Sequence, residues 1–109
     1  MNGAFQYEVE KSPTDQYGNK VTTVKCYGKL MSVTAGEMRE VVKLLIPLGG
    51  RIVVDLGGLN HMDSSGLGAL VGLKVSAIKQ GYCILEFVNM TPRILELLRI
   101  SNLTKVLTS

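Results

Sequence analysis

Most of the chemistry this 109-residue chain could do is concentrated in one segment, Leu59-Asn60-His61-Met62-Asp63-Ser64-Ser65-Gly66-Leu67-Gly68. It holds a carboxylate, two hydroxyls, an imidazole and two glycines. A serine nucleophile would need a base, but His61 is the chain's single histidine and no G-x-S-x-G turn is present. A phosphate-cradling loop would need a lysine right after its glycines, and none follows Gly68 until Lys74. Asp55 and Asp63 could at most hold a weak metal site, and Asp55 reads better as a structural residue at a strand end. No catalytic residue, metal or cofactor is expected. What remains is a helix start. Asp63, Ser64 and Ser65 are all strong N-cap types. A helix start offers unpaired N–H groups and a partial positive charge. Gly66 and Gly68 cost about 0.8–1 kcal/mol each against alanine inside a helix. Either they pack the helix closely on a sheet, or they leave its start uncluttered for a partner.

The flanking patterns say what must position this segment. Phe5, Tyr7 and Val9 alternate with Gln6, Glu8 and Glu10, which predicts a half-buried strand. Polar turn residues over 12–19 lead to a β-rich run, Val21–Tyr27, that should pair with the first strand as an antiparallel hairpin and end at Gly28. Thr34 with Glu37 three residues on reads as a capping box. Ala35, Met38, Val41, Val42 and Leu45 then recur at helical spacing until Pro47 and Gly49-Gly50 stop the helix. Arg51–Leu56 is nearly continuous apolar, as expected of a strand buried on both faces. Gly57-Gly58 should release it into a loop over Leu59–Asp63. A second helix is predicted from about Ser65 to Gln80, with Leu67, Leu70, Val71, Val75 and Ile78 as its apolar stripe and Gly81 as its C-cap. Cys83–Val88 reads as another buried strand. Thr91-Pro92 opens a short helix with Ile94, Leu95 and Leu98 inward. Leu103–Leu107 is long enough for a last short strand.

The order is β-β-α-β-α-β-α-(β). Strand-helix-strand alternation implies parallel pairing, and the opening hairpin makes the sheet mixed. The expected fold class is α/β: a single-domain open sandwich over residues 1–109, a mixed, mostly parallel sheet with helices packed on it. The candidate segment then lies beyond the C-terminal end of a strand and at a helix N-terminus, where open α/β sheets meet their ligands and partners.

Composition narrows the function classes. Hydrophobic residues make up 46% and charged residues 19%, a globular balance. No apolar run approaches the roughly 20 residues of a membrane helix. The N-terminus lacks the basic start and apolar centre of a signal peptide. A cytoplasmic protein without a membrane span is the expectation. The net charge is +3, but the twelve basic residues are scattered, so direct DNA binding is not expected. Cys26 and Cys83 have no metal-ligand spacing and read as two reduced, buried thiols.

With these residues in view, Met62-Asp63-Ser64-Ser65-Gly66-Leu67-Gly68 after Ile52-Val53-Val54-Asp55-Leu56 resembles the signature of STAS-domain proteins. More closely it resembles stand-alone bacterial anti-sigma factor antagonists. Gly28-Lys29-Leu30 with Thr34-Ala35 is similar to that family's strand-to-first-helix junction. Pro92–Leu98 with Leu103–Val106 is similar to its closing helix and tail. The resemblance implies regulation of transcription by partner switching. The unphosphorylated antagonist binds an anti-sigma factor that is also a serine kinase, and the sigma factor is freed. Phosphorylation, at the position matching Ser64, releases the antagonist, and a metal-dependent serine phosphatase resets it. Ser65 matches the neighbouring Ser/Thr position. The expected partner surface is Met62, Asp63, Ser64, Ser65, Gly66 and Leu67 together with the junction Met31, Ser32 and Val33, the two methionines supplying adaptable contacts. Alternatives within the same resemblance are a STAS scaffold or signalling module of another pathway, or a nucleotide- or lipid-binding STAS module.

The sequence departs from the family pattern in two places. Met31 stands where many relatives carry an acidic residue, which makes the surface more apolar. The loop from Lys11 to Lys20 is long. Phosphate on Ser64 would be stabilised by the helix start by roughly 0.3–1 kcal/mol, so it should not unfold the chain. Its charge of about −1.5 to −2 and its bulk should instead obstruct a partner seated on the same spot.

Overall fold

The computed structural model describes residues 5–81, 83–103, 105 and 107. Four strands form one sheet in the order β1 (Gln6–Ser12), β2 (Val21–Leu30), β3 (Gly50–Met62) and β4 (Cys83–Val88). β1 and β2 are antiparallel, while β2–β3 and β3–β4 are parallel, as the strand and helix alternation predicts. The helices are α1 (Ala35–Leu45), α2 (Ser64–Gln80) and α3 (Pro92–Ile100), with one 3-10 turn over Ile46–Leu48 after α1.

The core lies on one face of the sheet. Along β3, Ile52, Val54 and Leu56 are buried while Arg51, Val53 and Asp55 are half-exposed. Leu85 and Phe87 of β4 point inward and Ile84 is exposed. The expectation of strands buried on both faces is therefore wrong. Helices cover one face only, and the apolar run Ile52-Val53-Val54 spends its middle valine on the other. β1 is more exposed still. Tyr7 and Val9 pair with Cys26 and Val24 of β2 and so share the core face, yet both remain exposed at this uncovered edge. Among the described residues at this edge Phe5 alone is buried, its ring stacked on Tyr7 with centroids 6.1 Å apart.

Two predicted strand ends move. β2 does not stop at Gly28, and β3 does not give way to a loop at Gly57. The pairing runs on through Gly28↔Leu59 after one shift of register and through Lys29↔His61 and Leu30↔Met62 after a second. Glycines make this extension possible. Gly28 adopts φ +89°, which an L side chain resists. Gly58 lies against the Cys26 carbonyl and the Tyr27 ring, with no room for a Cβ. These residues read as punctuation in sequence, but here they are bulges within a continuing ladder.

The apolar stripe of α2 also differs. Leu67 and Leu70 are buried, but Val75 and Ile78 are exposed, and Leu73, Lys74 and Ala77 take their place. The helix is apolar around much of its circumference, so its own pattern does not single out the buried side, and packing against the sheet selects it. Lys74 reaches through this layer and donates from Nζ to the Leu85 carbonyl at 2.6 Å. In α3, Ile94 and Leu98 are buried as expected and Leu95 is exposed. Among the described residues the tail holds no last strand. Lys105 and Leu107 are helical, the Leu107 N–H reaches the Leu103 carbonyl at 3.3 Å, and Leu107 is buried. Thr104 and Val106 lie outside the described residues.

Candidate functional site

The site is built where β3 ends and α2 begins. Asp63 is the N-cap of α2, extended at φ −113° and ψ −173°, and its carboxylate accepts from the Gly66 N–H at 2.9 Å. The Asp63 carbonyl accepts from the Leu67 N–H at 3.0 Å, closing the first turn. The helix therefore starts at Ser64, one residue before the predicted position. Because Asp63 does the capping, neither serine is spent on it. Both Ser64 and Ser65 are exposed.

The same turn is seated on the end of β2. The Asp63 N–H points to the Leu30 carbonyl at 3.4 Å, and a Cβ at Gly66 would collide with that carbonyl. Gly66 is thus required by packing. Gly68 is not: nothing lies within 4 Å of where its Cβ would stand. Of the two readings open for the glycines, close packing holds for the first, and the second faces open space.

Leu30 leads directly into Met31-Ser32-Val33, so the contact brings the two predicted halves of the patch together. Ser32 is exposed and Val33 is 88% exposed, while Met31 is half-buried. Thr34 shapes this turn in a way the sequence did not predict. It makes no cap bond to α1, so the predicted capping box is not formed. Its hydroxyl instead donates to the Lys29 carbonyl at 2.8 Å and accepts from the Met31 N–H at 3.0 Å. A threonine four positions from a strand end and next to a helix serves either role equally well in sequence. The distance to Lys29 settles it.

Three predicted surface residues are not on the surface. Met62 is fully buried, and Gly66 and Leu67 are buried as well. Met62 therefore supplies no adaptable contact: the two bulges space the inward residues at this end of β3 as Leu56, Leu59 and Met62, so Met62 faces the core. The outward part of the patch is Ser32, Val33, Ser64 and Ser65, flanked by half-exposed Met31 and Asp63.

Among the described residues, no three potential metal ligands converge. Cys26 and Cys83 are free thiols, and burial, aided by nearby Asp55, pushes Cys26 up to about 12. His61 is exposed on β3 rather than in a loop. Asp55 accepts from the Gly57 N–H at 2.9 Å, a structural role at the bulge. Among the described residues, no helix is long and apolar enough to cross a membrane.

Solved structures share this architecture. The chain superposes on the unphosphorylated anti-sigma factor antagonist SpoIIAA with a TM-score of 0.69 at 19% identity, covering 92% of this chain and 84% of that one. An anti-sigma factor antagonist from Mycobacterium paratuberculosis gives 0.72 at 19% identity, covering 96% and 84%. A sulfate transporter family protein from Wolinella succinogenes gives 0.69 at 17% identity, covering 88% and 75%. At these identities the likeness is one of fold. Among curated protein sequences, none matches this chain. The family model described as "Mlab, STAS domain" matches residues 15–108, which spans both β-strand ends of the site, all three helices and the Asp63-Ser64-Ser65 turn. By that match, and by the parallel strand-to-helix turn it encloses, this chain belongs to the STAS-domain family.

Proposed function

We propose that this chain is a non-catalytic regulator of transcription, an anti-sigma factor antagonist that binds an anti-sigma factor with serine kinase activity and is switched off by phosphorylation of Ser64. The observation that carries the reading is the uncommitted Ser64 hydroxyl. It stands exposed at a helix start, with Asp63 already serving as cap and with the Ser32–Val33 turn fixed beside it. A kinase can reach this hydroxyl without unfolding anything. The added phosphate sits where helix N–H groups favour negative charge. The domain therefore keeps its fold, and release comes from charge and bulk inserted into a seated interface. The fold shared with two anti-sigma factor antagonists supports this reading. The chain acts as one STAS domain over residues 1–109 in the cytoplasm, reset by a metal-dependent serine phosphatase.

The likeness to a sulfate transporter family protein supports a second reading, a STAS module serving another pathway. Incubation with the cognate kinase, followed by site mapping and calorimetry, separates them. The switch reading expects phosphate on Ser64, normal folding of Ser64→Asp and Ser64→Ala, weak kinase binding by the first and kinase-resistant binding by the second. Phosphate on Thr91 or Ser101 with Ser64 bare would sink it.

A further inference from the structure

Three basic side chains stand in a row across the end of the sheet where Ser64 lies. Lys29 and His61 are cross-strand partners on β2 and β3. Their chain neighbours Leu30 and Met62 are buried, so strand alternation turns Lys29 and His61 to the solvent face. Beyond Asp55↔Val88 the strand β4 no longer pairs with β3. The start of α3 comes alongside instead, and His61 shares a small crevice with Asn60, Thr91 and Arg93. Lys29, His61 and Arg93 are all exposed.

Among the described residues Lys25 pairs with Glu10, Arg51 with Asp15 and Glu86, and Arg99 with Glu96, and the other surface cations, those of this row included, are unpaired. Among the described residues, neither Lys29, His61 nor Arg93 makes an ion pair. Glu96, the acid that feels Arg93, is already bound by Arg99. The Asp63 carboxylate is engaged by the Gly66 N–H.

Building on the partner-switching reading, we propose that Lys29, His61 and Arg93 form a docking strip for an acidic segment of the anti-sigma kinase, at the same end of the sheet as Ser64. Charge complementarity carries the argument. The Arg93 guanidinium offers a planar fork suited to a carboxylate, Lys29 a point charge, and His61 a ring N–H between them. Exposed charges of this kind accelerate encounter and set partner choice more than they add affinity. The strip and Ser64 lie at the same end of the sheet, the strip on its solvent face and Ser64 at the helix start, so negative charge added on Ser64 opposes the approach of an acidic partner to that end.

Association of the unphosphorylated protein with its cognate kinase, followed by surface plasmon resonance, tests this. The on-rate should fall at least about tenfold as salt rises from about 50 to 500 mM. The double reversal Lys29→Glu/Arg93→Glu should melt like wild type and bind at least about tenfold more weakly. The control Lys11→Glu/Lys20→Glu, at the far end of β1 and β2, changes net charge equally and should bind as wild type. Equal binding by both double variants overturns the strip and leaves the switch reading standing. Failure of wild type to bind the kinase at all overturns both. Binding of a duplex oligonucleotide that is lost on reversal, with kinase affinity unchanged, would assign the strip to nucleic acid and overturn the proposal.

Discussion

The backbone of Gly66 rests on the carbonyl of Leu30, leaving no room for a side chain between them. This contact fixes the α2 start against the end of β2, and with it the distance between Ser64 and the Ser32–Val33 turn. Two glycines two positions apart should therefore respond oppositely to alanine. Gly66→Ala forces the Leu30 backbone to move and should cost about 1–3 kcal/mol, as overpacking does. Gly68→Ala meets open space and should stabilise by about 0.5–1 kcal/mol through helix propensity. Denaturant melts of the two variants check this. Similar effects of the same sign would show that the α2 start is placed differently.

Thr34 should matter more to stability than an ordinary surface threonine. Its hydroxyl satisfies the Lys29 carbonyl and the Met31 N–H at once. Thr34→Val keeps the shape and leaves both groups without that partner, which should cost about 1–3 kcal/mol. Thr34→Ser should recover most of it. Loss of kinase binding by Thr34→Val at temperatures where it remains folded would show that the Met31–Val33 turn has to be held in shape. Unchanged stability would mean that water replaces the hydroxyl.

Removing the cap should be separable from removing the phosphate acceptor. Asp63→Ala deletes the bond to the Gly66 N–H and should destabilise by about 1 kcal/mol. Asp63→Asn or Asp63→Ser should restore most of the loss, because either can accept the same bond. Thermal melts of the three variants decide whether the carboxylate acts as a cap or through its charge.

Cys26 should be the slower thiol, and should make the fold sensitive to alkali. Burial, with a smaller contribution from Asp55, raises it from its ordinary 9.0 to about 12. A raised value favours the protonated thiol in the folded chain. Its contribution is full below pH about 9 and is lost as pH rises toward 12. Half-buried Cys83 should react first with a thiol reagent near neutral pH, and Cys26 only on unfolding. Chelator and reductant should leave the melting temperature unchanged. Prompt labelling of Cys26 in the native protein would contradict its burial.

Local chemistry determined much of this molecule in advance. The opening hairpin, the strand and helix order, the stop at Pro47 and Gly49, the Thr91 cap and the left-handed Gly81 all follow from side-chain types acting within a few residues. So does the placement of Asp63 and Ser64 at a helix start. What local pattern could not reach were the choices made by distant neighbours. Gly28 and Gly58 read as strand ends, and only the approach of β2 to β3 turns them into bulges inside a longer ladder. Thr34 reads as a cap, and only the position of the Lys29 carbonyl makes it a clamp. The α2 helix is apolar on several sides, and its packing on the sheet buries Leu73 and Lys74 and leaves Val75 and Ile78 outside. Met62 carries the right chemistry for a contact, but the bulges in β3 leave it facing the core. Lys29, His61 and Arg93 lie far apart in the chain and become a row only because β2, β3 and α3 end side by side. Short-range preferences set the elements because each acts within a turn or two. Faces, register and clusters wait for tertiary structure because they depend on which backbone arrives opposite.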